Sequence, residues 1–181
     1  MYMAQDLSYS YQALAALFAA VNKLQMLGDR YLKDLTVRQM LAIPALFHAP
    51  DGKATINHIA RSLGVTKQSA KQIVDVLEKK KYVSAAPSER DKRAVNVAIT
   101  PEGERAFSVC SERADLFVAD IFSEFSAEEL EIFLTLLRKL YKSSGPEQGG
   151  NDASPEYHKD YPETIMQHHQ NFAKRRTDQH D

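Results

Sequence analysis

The stretch TINHIARSLGVTKQSAKQIVDVLEKK, residues 55–80, decides the fold of this chain. Thr55 and Thr66 are residue types that cap helix N-termini, and Gly64 suits the left-handed turn that ends the first helix. Apolar residues recur at helical spacing on both sides of this turn: Ile56, Ile59, Ala60 and Leu63 before it, Ala70, Ile73, Val74 and Leu77 after it. The pattern predicts a helix-turn-helix, although a plain helical hairpin has the same spacing.

Directly after this stretch the apolar pattern changes to a period of two. Val95, Val97 and Ile99 alternate with other residues, which predicts a strand, and residues 82–86 predict its partner. The tip between the strands, SERDKR at residues 88–93, holds three cations and two anions. A helix-turn-helix followed by such a hairpin predicts a mainly α chain with a small β-hairpin wing, a winged helix-turn-helix.

Long helices flank this unit. Nine apolar residues at steps of three and four predict a helix over roughly residues 7–33: Leu7, Tyr11, Leu14, Leu17, Phe18, Val21, Leu24, Leu27 and Tyr31. A second helix runs from a capping box at Thr36 to about Ala49, and Pro44 should kink it near Met40. Two further starts are Thr100 with Pro101, and Ser126 with Glu129.

The chain has 181 residues, 44% hydrophobic and 26% charged, an ordinary balance for one globular domain with a flexible end. From Lys53 to Arg93 there are ten basic and four acidic residues, a net charge of +6, so the remainder carries −7. This basic middle predicts a polyanion partner, unless its lysines are simply solvated. With one cysteine, no leader and no apolar run of about 18 residues, we expect a cytoplasmic protein without a membrane span.

The second helix of the helix-turn-helix offers a polar outward face. The candidate DNA-binding residues on it are Thr66, Lys67, Gln68, Ser69, Lys71 and Gln72. Glutamine amides suit adenine edges, a lysine suits guanine or phosphate, and hydroxyls with helix N-terminal amides suit phosphate oxygens. The alternative is an ordinary solvated helix face.

The wing tip offers a second set of candidates. Arg90, Lys92 and Arg93 on a thin hairpin can enter the narrow minor groove of DNA, where negative potential is concentrated. Asp91 lies two residues before Arg93 and would hold its guanidinium in position by a local ion pair. An exposed pair adds only about 0–1 kcal/mol of stability, so the purpose of this pair would be positioning.

Residues from about Val37 to Phe107 resemble the MarR-type winged-helix transcription regulators. The features that carry the resemblance are residues 55–80 and the wing sequence ERDKRAVNVAITPEG at residues 89–103. The resemblance implies Arg93 as the minor-groove residue, with Asp91 as its orienting partner. Two departures stand out: Lys81 replaces a glycine that usually ends the recognition helix, which predicts an altered exit turn, and Ala85 or Ala86 replaces an arginine before the wing loop.

The resemblance also implies an assembly and its partners. MarR-type proteins are homodimers whose N- and C-terminal helices interleave, they bind double-stranded DNA, and a small-molecule effector is a further expected partner. The candidates to line an effector cavity are Tyr11, Phe18, His48 and Phe107. A place in the hydrophobic core would explain each of these residues equally well. The chain then divides into an N-terminal dimerisation helix (7–35), the winged helix-turn-helix (36–100), C-terminal dimerisation helices (101–142), and a linker with a flexible tail (143–181).

Enzyme chemistry has no support in the sequence. No nucleotide-binding glycine loop, HExxH, CxxC or serine elbow occurs, so we expect no catalysis, no cofactor and no metal. Cys110 on an apolar stripe is better explained as a buried thiol than as a redox sensor. The tail histidines are better explained as solvated side chains than as metal ligands: His158, His168, His169 and His180.

The sequence therefore predicts a homodimeric DNA-binding regulator, most simply a repressor on a pseudo-palindromic operator, with the recognition helix in the major groove and the wing in the minor groove. The alternative is a protein-interaction module on a winged-helix scaffold with weak or no DNA binding. The two departures from the family pattern keep that alternative open.

Overall fold

A computed structural model describes residues 2–47, 49, 54–88 and 94–143 of the chain. The elements in order are α1 (Tyr2–Leu32), α2 (Val37–Ala42), α3 (Pro44–Phe47), β1 (Ala54–Thr55), α4 (Ile56–Leu63), α5 (Lys67–Lys79), β2 (Val83–Pro87), β3 (Val95–Ile99), α6 (Pro101–Ile121) and α7 (Ala127–Ser143). Residues 89–93 of the wing tip, His48 and the tail from residue 144 lie outside the described residues. The mainly helical fold with a small β-wing is confirmed.

The predicted hairpin belongs to a three-stranded antiparallel sheet of order β1-β3-β2. Val83 pairs with Ile99 and Pro87 with Val95, so β2 and β3 form the wing. The sequence missed β1, where Ala54 pairs with Val97. Two residues are too short to show a period of two, and Thr55 was visible only as the cap of α4.

The hydrophobic core lies where α2 to α5 meet the sheet. Ile43, Ala54, Ala70, Val97 and Cys110 are fully buried there. The inward face predicted for α5 is confirmed, since Ala70, Val74 and Leu77 are buried and Ile73 is half-buried. The helix after the wing, α6, contributes Phe107 and Cys110, so it closes the core of the winged unit as well as extending beyond it.

Side-chain caps start the helices at the predicted residues. Thr36 accepts from the amide of Gln39, and the Gln39 side chain accepts from the Thr36 amide, which completes a capping box. Thr55, Thr66 and Thr100 each accept from the backbone amide three residues further on. Ser126 and Glu129 form a second reciprocal pair. Each cap satisfies amides that have no partner inside their own helix.

The helix expected from Thr36 to about Ala49 is divided in two, and the break lies at Ile43 rather than near Met40. Pro44 has no N–H, so it cannot donate to the Met40 carbonyl, and the Ile43 amide donates there instead at 3.2 Å. The first piece, α2, ends at Ala42, and α3 restarts at Pro44, a position where a proline is tolerated.

Two helices end in the same hydrogen-bond pattern, a Schellman motif, with different residues at the left-handed position. After α4, Gly64 has φ 62° while the Val65 amide donates to Ala60 O at 3.0 Å. After α5, Lys81 has φ 62° while the Tyr82 amide donates to Leu77 O at 2.9 Å. The exit from α5 therefore has the backbone geometry that favours glycine, although a lysine occupies it.

The flanking helices leave wide apolar surfaces exposed. On α1, Tyr11 and Phe18 are 66% and 63% exposed, and none of the residues of α7 is buried. These two helices with α6 form what we call the open apolar face, whose large exposed residues are Leu7, Tyr9, Tyr11, Leu14, Phe18, Val21, Met26, Val109, Leu116, Val118, Ile132, Phe133, Leu134, Leu136 and Leu140. Of the four candidates for an effector cavity, Phe107 is a core residue packed on Phe47, with ring centroids 5.8 Å apart. Within the described ranges, no helix combines the length and apolarity that a membrane span needs.

Candidate nucleic-acid interface

Four of the side chains that the sequence predicted to lie on the outward face of α5 are exposed to solvent. Lys67, Gln68, Lys71 and Gln72 are exposed along the first half of this helix, while its opposite side is packed in the core. Their spacing follows from the 3.6-residue repeat, because the buried positions Ala70 and Val74 leave the intervening turns on the outside. The structure brings these four side chains together on one surface, and their role in DNA binding stays a prediction.

The two hydroxyl candidates at the start of α5 are engaged with each other. Thr66 Oγ1 accepts from the Ser69 amide at 3.1 Å and lies 3.0 Å from Ser69 Oγ. The amide of Ser69 is therefore used by the cap and is not available to a phosphate in this arrangement. Ser69 is half-buried, whereas Thr66 is exposed.

One candidate has a partner that sequence reasoning did not assign. Lys71 Nζ donates to both carboxylate oxygens of Asp75, each at 2.9 Å. Both side chains are exposed to solvent, Lys71 at 66% and Asp75 at 45%. The separation of four residues on a helix permits this pair, although the sequence alone does not show that it forms.

A cleft of about 770 Å³ separates α5 from the base of the wing. Lys67, Lys71 and Glu78 line it from α5, and Ala85 and Val95 line it from the wing strands. Glu78 ties the two walls together, because its Oε1 accepts from the Ala85 amide at 3.2 Å. A side chain of α5 thus contacts the backbone of the wing strand β2 directly.

Beyond this cleft the wing hairpin is described as far as Ser88 and Ala94. The Ser88 amide donates to Ala94 O at 2.9 Å and closes the last described rung of the hairpin. The four wing candidates, Arg90, Asp91, Lys92 and Arg93, follow that rung and lie outside the described residues. The structure therefore describes the two strands of the wing, and the roles of these four residues stay predictions.

The far end of α5 is joined to the long helices through the corner after α1. Lys80 Nζ donates to Asp34 O at 2.5 Å, and Arg113 on α6 donates to Asp34 Oδ2 at 3.0 Å. Arg113 and the Cys110 thiol also both donate to Leu32 O, at 3.2 Å and 3.6 Å. Sequence reasoning missed this corner, because its contacts join residues 46 to 81 positions apart.

Burial dominates the chemistry of Cys110. Burial raises the pKa of its thiol, and the nearby Asp34 carboxylate raises the pKa further. A thiol that is fully buried and hard to ionise is a poor nucleophile, which agrees with the structural role predicted for it. Among the residues for which side chains are described, no group of three or more histidine, cysteine or acidic residues is placed to hold a metal ion.

Several known proteins are similar to this chain in sequence. A family model described as the MarR family matches residues 33–94. The HTH-type transcriptional regulator YsmB of Bacillus subtilis is 27% identical over 89 residues, which are 49% of this chain and 61% of YsmB. The matched segment thus spans about three fifths of the length of that curated relative, and the same holds for PrsX of Escherichia coli at 60%.

Solved structures share the fold. A mutant MarR from E. coli complexed with operator DNA is 24% identical with a TM-score of 0.63, covering 71% of this chain and 93% of that one. BpsR of Bordetella bronchiseptica, whose DNA binding is regulated by 6-hydroxynicotinic acid, is 19% identical with a TM-score of 0.64, covering 73% and 93%. Together with the family model, these matches confirm the resemblance seen in residues 55–80 and 89–103. The winged helix-turn-helix of this chain, residues 33–94, is thus similar to the model of the MarR family.

Proposed function

We propose that this protein is a DNA-binding transcription regulator that binds a pseudo-palindromic operator as a homodimer. In this proposal the recognition helix is α5, which enters the major groove, and the wing grips the neighbouring minor groove. The single observation that carries the proposal is the first half of α5, where four exposed side chains with donor and acceptor groups stand on a helix whose other side is fixed in the core.

Each of these side chains has a contact for which its chemistry is suited. Gln68 and Gln72 carry amides that can bond both polar atoms of an adenine edge, and Lys67 carries a charge that attracts phosphate. Thr66 holds the N-terminus of α5 in shape, so that its amides and the helix dipole add to that attraction. Gln68 and Gln72 would supply sequence selectivity, and Lys67 would supply affinity.

The wing would supply the minor-groove contacts. Arg90, Lys92 and Arg93 are the cations of its tip, and Asp91 has the sequence spacing that suits it to orient Arg93. The support for these roles is the resemblance of residues 89–103 to the family's wing, together with the paired strands β2 and β3 that flank the tip in sequence. The relative of known structure from E. coli was solved on operator DNA.

The open apolar face supports the homodimer. Large side chains on α1 and α7, such as Phe18 and Ile132, are 63% and 60% exposed, and a surface this apolar is normally covered by a partner. A second copy of the chain presents the same face, which makes a two-fold interface self-complementary. Two copies also place two recognition helices for the two halves of a palindrome.

Regulation is the remaining part of the proposal. A dimer seated on an operator excludes other proteins from it, so repression is its simplest effect. The similarity to BpsR, which responds to 6-hydroxynicotinic acid, supports a small-molecule effector for this chain as well.

The experiment that tests the proposal selects fragments bound by the protein from genomic DNA and measures affinity for the enriched sequence by fluorescence anisotropy. Arg93→Ala should weaken binding by at least tenfold, because one minor-groove arginine and its phosphate attraction are lost from each subunit. The matched control is Arg105→Ala, since Arg105 is an exposed arginine on α6 that pairs with Glu102 outside the proposed interface.

Three results would contradict the proposal: equal affinities for wild type and Arg93→Ala, a sedimentation mass of one chain at micromolar concentration, or an affinity that hardly changes with salt. A dimer that grips phosphates must lose affinity steeply as salt rises. A flat salt dependence would favour the protein-interaction module instead.

A further inference from the structure

The pairing of Lys71 with Asp75 neutralises a cation on the surface that is proposed to meet DNA. Lys71 Nζ lies 2.9 Å from both Oδ1 and Oδ2 of Asp75, so the ammonium is shared evenly by the carboxylate. The pair lies on the outward side of α5, with 66% of the Lys71 side chain and 45% of the Asp75 side chain exposed to solvent.

Helix stability does not account for this pair. Its lysine is nearer the N-terminus of α5 and its aspartate nearer the C-terminus, which is the less favourable order for a pair four residues apart. Asp75 gains nothing from the helix dipole at that position, and an exposed pair changes a folding equilibrium only about 1.4-fold to 5-fold.

The wall of the cleft that α5 forms carries no net charge. Lys67 and Lys71 are balanced by Asp75 and Glu78, all four of which line the cleft from α5. Glu78 has a structural task, since it holds the Ala85 amide of the wing. The contact that Asp75 makes, by contrast, is with a residue proposed to bind DNA.

We propose that Asp75 is a specificity-determining residue of the DNA interface. This inference rests on the proposed function and refines it. On arbitrary DNA, Asp75 keeps Lys71 paired and repels phosphate, so the recognition helix adds little to sequence-independent attraction. On the operator, Asp75 accepts a hydrogen bond from the N4 amino group of a cytosine, and Lys71 is released to a guanine O6 or N7.

The two contacts are complementary because they read the same kind of base pair. A carboxylate in the major groove suits cytosine and is repelled by the acceptors of guanine and thymine, whereas a lysine suits guanine. A side-chain pair that exchanges its mutual bond for these two contacts binds a G·C pair without leaving a charge unpaired. The chemistry therefore specifies a G·C pair within the stretch of each half-site that α5 covers.

The test compares wild type with Asp75→Asn, which keeps the shape of the side chain and removes its charge. Two DNA probes are used, the selected operator and a random-sequence duplex of equal length. Release of Lys71 in both subunits should tighten binding of the random duplex by about 2-fold to 30-fold, from about 1.4-fold to 5-fold per pair. The slope of log affinity against log salt should steepen by about 1.8, or 0.9 for each added phosphate contact.

The operator should gain less affinity than the random duplex, so the ratio of the two affinities falls in Asp75→Asn. Replacing each G·C pair of the operator half-site in turn should identify one position that wild type requires and Asp75→Asn does not.

Two further variants show whether the effect acts through Lys71. Glu78→Gln removes an equal charge from the same wall but does not release Lys71, so it should leave the salt slope for the random duplex within 0.5 of wild type, an estimated limit for a change without a new phosphate contact. Lys71→Gln leaves the Asp75 carboxylate without its partner, so it should weaken binding of the random duplex, and when combined with Asp75→Asn it should cancel the gain.

The outcomes separate this inference from the proposed function. If wild type binds DNA with a steep salt slope but Asp75→Asn has the same slope and the same operator preference, the inference is wrong and the proposed function stands. An equal effect of Glu78→Gln also overturns it, because the effect would then be one of general charge. If wild type binds neither duplex at low salt, the proposed function is wrong and the inference falls with it.

Discussion

Replacing Lys81 by glycine should make this protein more stable, although the change removes a whole side chain. Lys81 has φ 62° at the end of α5, where its amide donates to Glu78 O at 2.8 Å and its carbonyl accepts from Thr100 Oγ1 at 2.6 Å. These bonds hold the backbone in the left-handed conformation, in which a β-carbon crowds the following carbonyl oxygen.

The size of the effect follows from two opposing contributions. A residue with a β-carbon loses about 1–2 kcal/mol in the left-handed conformation, and glycine does not. Glycine in turn loses more chain entropy on folding, which takes back about 0.5–1 kcal/mol. Lys81→Gly should therefore raise the free energy of unfolding by about 0–1.5 kcal/mol, and the middle of that range, about 0.75 kcal/mol, equals a rise in Tm of about 1.5–3 °C for a chain of this size.

Urea unfolding at a fixed protein concentration measures this difference, since the midpoint should rise with an unchanged slope. Lys81→Ala is the control for the lost charge, because alanine keeps the strained β-carbon. Gly64→Ala is the reciprocal control: Gly64 has φ 62° and its added β-carbon would meet nothing within 4 Å, so the variant should lose about 1 kcal/mol through strain alone. A Lys81→Gly protein no more stable than Lys81→Ala would refute the reasoning.

Two other predictions concern the packing of α6. Gly103→Ala should destabilise the fold by about 1–3 kcal/mol in the same urea assay, because the added β-carbon would lie 1.9 Å from the Tyr82 carbonyl oxygen. The neighbouring exposed change Glu104→Ala should stay within about 0.5 kcal/mol, and equal losses in both would contradict the close approach. The Cys110 thiol should react with a thiol reagent far more slowly in the folded protein than in urea, and its raised pKa implies stability that is present below the ordinary thiol pKa and lost as pH rises above it. Labelling at the unfolded rate near pH 8 would show that this thiol is not buried.

The sequence predicted local structure well where the signal was local. The caps at Thr36, Thr66 and Thr100 and the left-handed Gly64 each depend on residues within four positions of one another, so they can be read from the chain. Where two local signals competed, the outcome was missed: the break caused by Pro44 falls at Ile43, because the Ile43 amide takes over the carbonyl that the proline cannot serve.

The recognition surface could be predicted as a face but not as an arrangement of charge. The spacing of Ala70, Val74 and Leu77 fixes which side of α5 is buried, and this determines that Lys67, Gln68 and Gln72 point outward. Lys71 and Asp75, which form an ion pair, are also close together in the sequence. Each of these side chains could instead have been surrounded by water. Only the folded structure shows that the two side chains pair with each other.

By itself, then, the sequence determined the winged unit, because a helix period, a turn residue and a strand period are properties of short segments. Tertiary structure decided what joins those segments: β1 on the edge of the wing, Glu78 on the Ala85 amide, and Asp34 between Lys80 and Arg113. Such contacts depend on where separate elements meet in space. No periodic pattern in the sequence specifies these contacts, because the packing of all the elements together determines them.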